Sequence, residues 1–176
     1  NNSNMGYNTG DRVVGDYNSA VGDNAGSFLE GSGNVAMGRM AGSVYGYSEN
    51  TGYVDRQNQP VSGSKPLLKV SNTVSLGNFS LTLQDEGVAL GSQAIANTAA
   101  GAQGYLANGK TDAAWQSTLA AVSVGGDDPY DGKNTTHTRQ ITNVAAGTTF
   151  TDAVNVAQLQ AVQAMIGTGS GTGGHF

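Results

Sequence analysis

Few side chains in this chain could carry out acid–base, nucleophilic or metal chemistry. There are two histidines, His137 and His175, and no cysteine. No Gly-x-Ser-x-Gly pattern stands between a predicted strand and a predicted helix. The Gly-rich run at 169–174 has no strand before it and no helix after it, so it does not predict a phosphate-binding loop. We therefore predict no catalytic residue, no cofactor and no enzymatic activity.

An aspartate-rich segment at 126–138 raises the question of a calcium site. Its acidic residues are Asp127, Asp128 and Asp131. A calcium loop of the EF-hand type needs a bidentate glutamate at its twelfth position, and Thr138 stands there instead. The Pro-Tyr-Asp-Gly sequence at 129–132 is typical of a surface turn. We therefore predict a turn and no metal site.

Tyrosines are concentrated in one part of the chain. Tyr45, Tyr47 and Tyr53 lie within nine positions of one another, in a segment that interrupts a repeat. Exposed tyrosines on loops are frequent binding contacts, so these three are our candidate ligand-binding residues. The alternative, which we favour, is that the rings pack on a neighbouring part of the chain.

These side chains are embedded in a repetitive, glycine-rich body. Gly6, Gly22 and Gly38 are sixteen residues apart, and another glycine follows each of them after four residues. The same apolar-glycine motif returns at 74–77, 88–91 and 122–125. A period of fourteen to sixteen suits two short strands and two turns in each coil. Successive coils would stack about 4.8 Å apart as parallel ladders.

The motif at 88–91 also predicts which side chains face inwards. Alternation along a strand places Val88 and Leu90 on one face and Ala89 on the other. A single thin coil of this kind would leave an apolar stripe in water. Three copies around a cyclic axis could bury that stripe with identical contacts. A monomeric β-solenoid that stands alone is the alternative.

A short helix is predicted near the carboxyl end. Thr151 can cap a helix, and Asp152 would then lie in the first turn, where negative charge is favourable. Leu159, Val162 and Ile166 form one apolar seam at helical spacing. This is the start of a coiled coil, too short to be stable alone. The Gly/Ser/Thr-rich tail at 167–176 predicts a flexible segment.

Charge and composition exclude several classes of partner. The chain of 176 residues has 27 glycines and a net charge of −5. Without a basic patch, the sequence predicts no nucleic-acid binding. No apolar run approaches about 18 residues, so no membrane-spanning helix is expected.

Two of these features resemble a known family. The motifs at 35–38 and 88–91 resemble the head motif of YadA-like trimeric autotransporter adhesins. The segment 139–147, followed by 151–159, closely resembles the neck of the same family. The resemblance implies a mainly β protein: a homotrimeric head of left-handed parallel β-rolls, followed by a neck and the start of a coiled-coil stalk.

The resemblance also implies a division of the chain. We expect a head at 1–138 with insertions at about 45–71 and 126–138, a neck at 139–158, and the start of the stalk at 159–166. The expected contacts between subunits in the neck and stalk are Ile141, Val144, Val154, Val156, Leu159 and Val162.

The function implied by the family is adhesion. We expect a virulence-related protein on the outer membrane of a bacterium, bound to host cells or extracellular matrix proteins. Attachment to the membrane would occur only through an anchor domain outside this chain. Two alternatives remain open at this point: a passive spacer that projects a more distal binding head, and a segment of a phage or pilus fibre.

Overall fold

A computed structural model describes residues 1–133 and 135–169, which contain thirteen short strands and one helix. The strands are β1 (Ser3–Met5), β2 (Val13–Val14), β3 (Ser19–Val21), β4 (Leu29–Glu30), β5 (Val35–Met37), β6 (Gly46–Ser48), β7 (Gly52–Val54), β8 (Leu68–Lys69), β9 (Val74–Leu76), β10 (Leu81–Thr82), β11 (Val88–Leu90), β12 (Ile95–Ala96) and β13 (Val122–Ser123). The helix α1 spans Val156–Gly169. Within the described part of the chain, no helix is both long and apolar enough to cross a membrane.

Six strands form one parallel sheet in the order β1-β3-β5-β9-β11-β13. Asn4 pairs with Ala20 and Ala20 pairs with Ala36, which is the sixteen-residue step of the glycine pattern. Ala89 pairs with Ser75, which is the fourteen-residue step. The copies of the motif are therefore stacked coils, and the predicted mainly β fold with parallel sheets is confirmed.

The inside of each coil is narrow and holds small side chains. Ala20, Ala36 and Ala89, at the middle of their strands, are buried, whereas the residues beside them are half-buried or exposed. Gly26 adopts a φ of +56°, and a Cβ added there would lie 2.9 Å from the Ala20 methyl carbon. Glycine is required at this turn because a side chain would meet both a strained backbone and the opposite wall.

Smaller sheets complete the coils. Strands β2, β4 and β8 form a three-stranded parallel sheet, and β10 pairs in parallel with β12. Leu81 of β10 and Ile95 of β12 form a cluster of buried apolar side chains with Val44. This cluster supplies the larger apolar side chains that the alanine-lined part of the coil lacks.

A buried ladder of amide side chains fixes the register of the first coils. The Nδ2 of Asn34 donates to the Oδ1 of Asn18 at 2.9 Å and to the carbonyl of Val70 at 3.0 Å. The Oδ1 of Asn34 accepts the backbone N–H of Thr73 at 3.1 Å. Asn2 continues the ladder through its bond to the backbone N–H of Asn18. A buried amide side chain without hydrogen-bond partners is costly, so a shift of one strand along its neighbour, which would separate these amides, would be strongly unfavourable.

The first insertion is shorter than expected. The antiparallel hairpin of β6 and β7 leaves the coil, but β8 is already back in it, since Leu68 pairs with Leu29. Ser71 also belongs to the coil, because its hydroxyl accepts the backbone N–H of Ser32 at 3.1 Å. The expected insertion at 45–71 is therefore an excursion at 45–67.

Two further excursions leave the coils near the neck. One, at 97–121, lies between β12 and β13, and its ends meet where the Ala121 N–H donates to the Thr98 carbonyl at 3.0 Å. The other is the expected one at 126–138, which Gly126 and His137 close by donating to each other's carbonyls at 2.7 and 3.0 Å.

The helix begins later than the predicted cap at Thr151 implies, at Val156, and it has a different cap. The Asn155 Oδ1 accepts the Gln158 N–H at 3.1 Å, and the Gln158 Oε1 accepts the Asn155 N–H at 3.3 Å. This reciprocal pair is a capping box, so the prediction that Thr151 caps the helix and that Asp152 lies in its first turn is wrong. Thr151-Asp152 and Asn155 with Gln158 all have side chains that can cap a helix. The neck contacts described below explain why Asn155 and Gln158 form the cap.

The helix also ends later than the expected stalk segment at 159–166, because it continues to Gly169. Residues 167–169 of the predicted flexible tail are therefore helical. The rest of that predicted tail, 170–176, lies outside the described residues.

Candidate functional site

The three candidate tyrosines form an aromatic cluster around Phe28. The ring centroids of Tyr45 and Tyr53 lie 5.9 and 5.4 Å from that of Phe28, and Tyr47 lies 5.5 Å from Tyr53. All three pairs are edge-to-face, the arrangement that ring quadrupoles favour. Phe28 is only 1% exposed, so the cluster attaches the first excursion to the coils.

Arg12 completes this cluster from the side of the first coil. Its Nη2 and Nε donate to the Tyr53 hydroxyl at 2.6 and 3.0 Å, and its guanidinium carbon lies 4.8 Å from the Tyr53 ring centroid. Tyr45, Tyr47 and Tyr53 are each half-buried. The rings thus pack on neighbouring coils, as the favoured alternative expects, and a role for them in ligand binding stays a prediction.

A buried ion pair joins the first excursion to the last one. The Arg56 Nε donates to the Asp128 Oδ2 at 2.7 Å, and the two side chains are 1% and 11% exposed. Arg56 also donates to the carbonyls of Met40, Ser43 and Phe79. Sequence reasoning missed Arg56, because its partner lies 72 residues away.

The aspartates of the last excursion are used within turns. The Asp128 Oδ1 accepts the Tyr130 N–H at 2.9 Å, and the Asp131 Oδ1 accepts the Lys133 N–H at 2.7 Å. These are the local side chain–backbone bonds that favour Asp in turns, as the turn interpretation predicts. Among the described residues, no group of histidine, aspartate and glutamate side chains is arranged to hold a metal ion.

An apolar row runs along the outer face of the main sheet, on the strand positions that alternate with the buried ones. Its members are 36% to 70% exposed. We call it the sheet stripe, and it consists of Met5, Val21, Val35, Met37, Leu90 and Val122. Val88 and Leu90 therefore lie on the face opposite Ala89, as the alternation predicts.

The neck folds back on the first turn of the helix through side-chain amides. The Gln158 Nε2 donates to the Gly147 carbonyl at 3.0 Å, and the Gln158 Oε1 accepts the Gly147 N–H at 3.0 Å. The Asn155 Nδ2 donates to the Val144 carbonyl at 3.1 Å. Asn155 and Gln158 thus cap the helix and hold the neck at the same time, which explains why they form the cap.

Asp152 organises the turn just before the helix. Its carboxylate accepts the backbone N–H groups of Thr149 and Thr148 at 2.9 and 2.8 Å and the Thr149 hydroxyl at 3.1 Å. These hydrogen bonds, that from the Thr149 N–H first, hold the pKa of the Asp152 carboxyl below its ordinary value. The charged form is favoured because it accepts more hydrogen bonds.

Most of the predicted neck contacts face solvent in the single chain. Val144 is half-buried, and the other five are 50% to 71% exposed. We call these exposed residues the neck seam, and they are Ile141, Val154, Val156, Leu159 and Val162. An open groove of about 500 Å³ lies among Ile141, Val144, Val154 and Val156.

Comparison with known proteins shows which proteins this chain, with its coils, neck and helix, is similar to. A family model described as the coiled stalk of trimeric autotransporter adhesins matches residues 140–175. The chain is also 39% identical over 108 residues to the autotransporter adhesin BadA of Bartonella henselae. The resemblance to the YadA-like trimeric autotransporter adhesins is confirmed. The match with BadA covers 54% of this chain and 3% of that protein, so the chain spans a small part of its relative.

The matches show what the chain is similar to at a coarse level. The chain is similar to a stalk and head segment of the trimeric autotransporter adhesins. The matched stalk is a structural element and belongs to no enzyme family, so the prediction that this chain is not an enzyme is confirmed. All five residues of the exposed neck seam lie in the matched region.

Proposed function

We propose that the chain is the head-and-neck segment of a homotrimeric adhesin on the bacterial surface, with each subunit wound as a left-handed β-roll. One observation carries the proposal: the single chain leaves both the sheet stripe and the neck seam in contact with solvent. Contiguous exposed apolar surface of this kind marks an interface. The similarity to trimeric autotransporter adhesins supports a homotrimer as the assembly that covers it.

The repeat makes a copy of the same chain a well-matched partner for the sheet stripe. Every coil of the main sheet except that of β9 contributes at least one side chain to the stripe, and neighbouring coils are spaced by the strand separation of about 4.8 Å. A second copy presents the same row at the same spacing, and cyclic symmetry gives every copy identical contacts. Three copies would therefore bury the stripe along its whole length.

The helix needs partners for a separate reason. It has 14 residues, and helices of this length are marginal in water without packing. The neck seam would supply that packing around the same threefold axis. In the proposed division, a head at 1–138 passes through a neck that begins at 139 into the stalk helix, which begins at Val156.

The proposed role of this trimer is adhesion to host cells or extracellular matrix proteins. The protein would be attached to the outer membrane through a part of the molecule outside this chain. Three copies on one stalk raise the overall binding strength without any new contact. In that role Tyr45, Tyr47 and Tyr53 are candidates for direct contact, since each keeps part of its surface exposed.

A passive spacer is the second candidate. The observation that favours it is the family match itself, since a coiled stalk separates a binding head from its anchor. The two candidates share the trimer and differ in whether this segment binds a host molecule.

Assembly is tested by light scattering at several protein concentrations. We expect three times the chain mass of 17.8 kDa for the unchanged protein. Met37→Glu places a charge in the sheet stripe and should lower the mass. Tyr105→Glu is the matched control, because Tyr105 is a 90% exposed apolar residue outside the stripe. A single-chain mass for the unchanged protein at every concentration would refute the trimer.

Adhesion is then tested with the trimeric protein on surfaces coated with collagen, fibronectin or laminin, and on cultured host cells. Saturable binding supports the adhesin. If an intact trimer binds none of these surfaces, the spacer is the better account.

A further inference from the structure

A cavity of about 480 Å³ lies between the first and last excursions, over the corner of the coil at Phe79. We propose that this cavity is a binding site for a neutral saccharide of one or two sugar rings. Its volume falls within the range of roughly 300–1,000 Å³ that is typical of small-ligand sites. Neither the sheet stripe nor the neck seam contributes to it.

Part of the cavity wall is held in place before any ligand arrives. Arg56 is fixed by the ion pair with Asp128 and by the carbonyls that it bonds. The Arg56 guanidinium carbon lies 5.6 Å from the Phe79 ring centroid. The backbone bonds between Gly126 and His137 fix the ends of the last excursion. A preformed site binds more tightly because little conformational entropy is lost on binding.

The charges around the cavity are balanced. Arg56 and Lys133 are cationic, and Asp128 and Asp131 are anionic. A phosphate, sulfate or carboxylate ligand would meet two carboxylates, and a cationic ligand would meet two cations. Like charges brought together at a binding site are unfavourable, so the balance favours an uncharged ligand.

The remaining lining suits a ligand that both donates and accepts many hydrogen bonds. Gln57, Gln93 and Thr135 each offer a donor and an acceptor, and the imidazole of His137 offers one of each when neutral. Sugar hydroxyls do the same, and Phe79 supplies apolar wall for the C–H groups of a sugar ring. A neutral saccharide therefore matches the lining in hydrogen bonding, polarity and charge.

A peptide strand fits this cavity less well. Peptides commonly bind by adding a strand to a free sheet edge. At the rim of this cavity the backbone groups of Gly126 and His137 are already bonded to each other. The cavity therefore offers side chains, and not a free strand edge, to its ligand.

The test uses saturation-transfer NMR and calorimetry on the whole chain. The probes are lactose, maltose and diacetylchitobiose, with sialyllactose as the acidic counterpart of lactose. We expect at least one neutral probe to bind, and sialyllactose to bind no more tightly than lactose. His137→Ala should weaken that binding about fivefold or more, as for one lost hydrogen bond.

The variants separate the cavity from the fold. His137→Ala keeps the backbone bonds to Gly126. Gln93→Asn places at 93 a residue type that tolerates the φ of +62° found there, so both variants change the lining and keep the fold. Thr138→Ala, next to His137 but outside the lining, is the control and should bind as the unchanged chain does. The inference is overturned if no neutral probe binds, if the acidic probe binds more tightly, or if His137→Ala binds normally.

This inference rests on the proposed function only in treating the head as a binding surface. The two can fail separately, because light scattering and matrix binding do not depend on the saccharide. A trimer that adheres to matrix but binds no sugar would overturn the saccharide site alone. A monomer that binds sugar through His137 would overturn the trimer alone.

Discussion

The ion pair between Arg56 and Asp128 should contribute more to stability than any other charged contact described here. Asp128→Ala would leave the Arg56 cation buried, with its side chain 1% exposed, and without its carboxylate. Breaking a buried pair by removing one partner costs about 3–5 kcal/mol. The carbonyls of Met40, Ser43 and Phe79 still accept from Arg56, and Asp128 keeps some contact with water, so we expect the low end, about 3 kcal/mol.

Urea unfolding followed by circular dichroism measures this change, with all proteins at one concentration because assembly contributes to stability. Asp131→Ala is the matched control. Asp131 lies in the same excursion, and its carboxylate bonds only the Lys133 N–H among the contacts described. A surface change of this type should cost about 0.5 kcal/mol or less.

A local measurement tests the same reasoning independently. If the ion pair holds the last excursion on the coil, Asp128→Ala should increase hydrogen exchange at the Gly126 and His137 amides, which bond each other's carbonyls. Equal free energies of unfolding for Asp128→Ala and Asp131→Ala, with unchanged exchange at these amides, would refute the assigned role of the ion pair.

Two further predictions concern the coil turn and the neck. Gly77→Ala should lower the free energy of unfolding by about 2–3 kcal/mol more than Gly63→Ala. An added Cβ at 77 would lie 2.5 Å from a carbonyl carbon of the next coil, whereas an added Cβ at 63 would have no neighbouring atom within 4 Å. Both glycines have positive φ, so equal losses in urea unfolding would show that packing at 77 does not matter. The second concerns Asp152, whose pKa is lowered in the folded state. Its carboxylate therefore stabilises the folded neck at pH values above the pKa that Asp152 has in the unfolded chain. That stability should be lost as the pH falls through the folded pKa, so the protection of the Thr148 and Thr149 amides against exchange, relative to their intrinsic exchange rates at each pH, should fall in acid. Asp152→Asn should remove this acid dependence, and an unchanged pH profile would contradict the assignment.

The sequence was sufficient for the parts of the fold that repeat. The glycine steps of sixteen and fourteen residues became the pairing registers of Ala20 with Ala36 and of Ser75 with Ala89. Alternation along the strand was enough to separate buried Ala89 from exposed Leu90. Such features are local, because strand periodicity and the need for glycine at a turn act over a few residues.

The position of the helix start shows where local patterns become ambiguous. Thr151-Asp152 and Asn155 with Gln158 both carry cap-forming side chains. In the folded neck, Asp152 bonds the Thr148 and Thr149 amides, and Asn155 and Gln158 bond Val144 and Gly147 as well as the helix. The choice was made by contacts with residues up to eleven positions upstream, which a cap pattern does not include.

By itself, the sequence determined the coil period, the inward face of the strand at 88–90 and the presence of a helix. Only the tertiary structure decided where the excursions go and what they contact: Arg56 with Asp128 across 72 residues, and Tyr53 with Arg12 across 41. A repeat fixes its own geometry through contacts that recur from coil to coil. An excursion has no such repeat, so its position depends on individual distant side chains that become neighbours only after the coils have stacked.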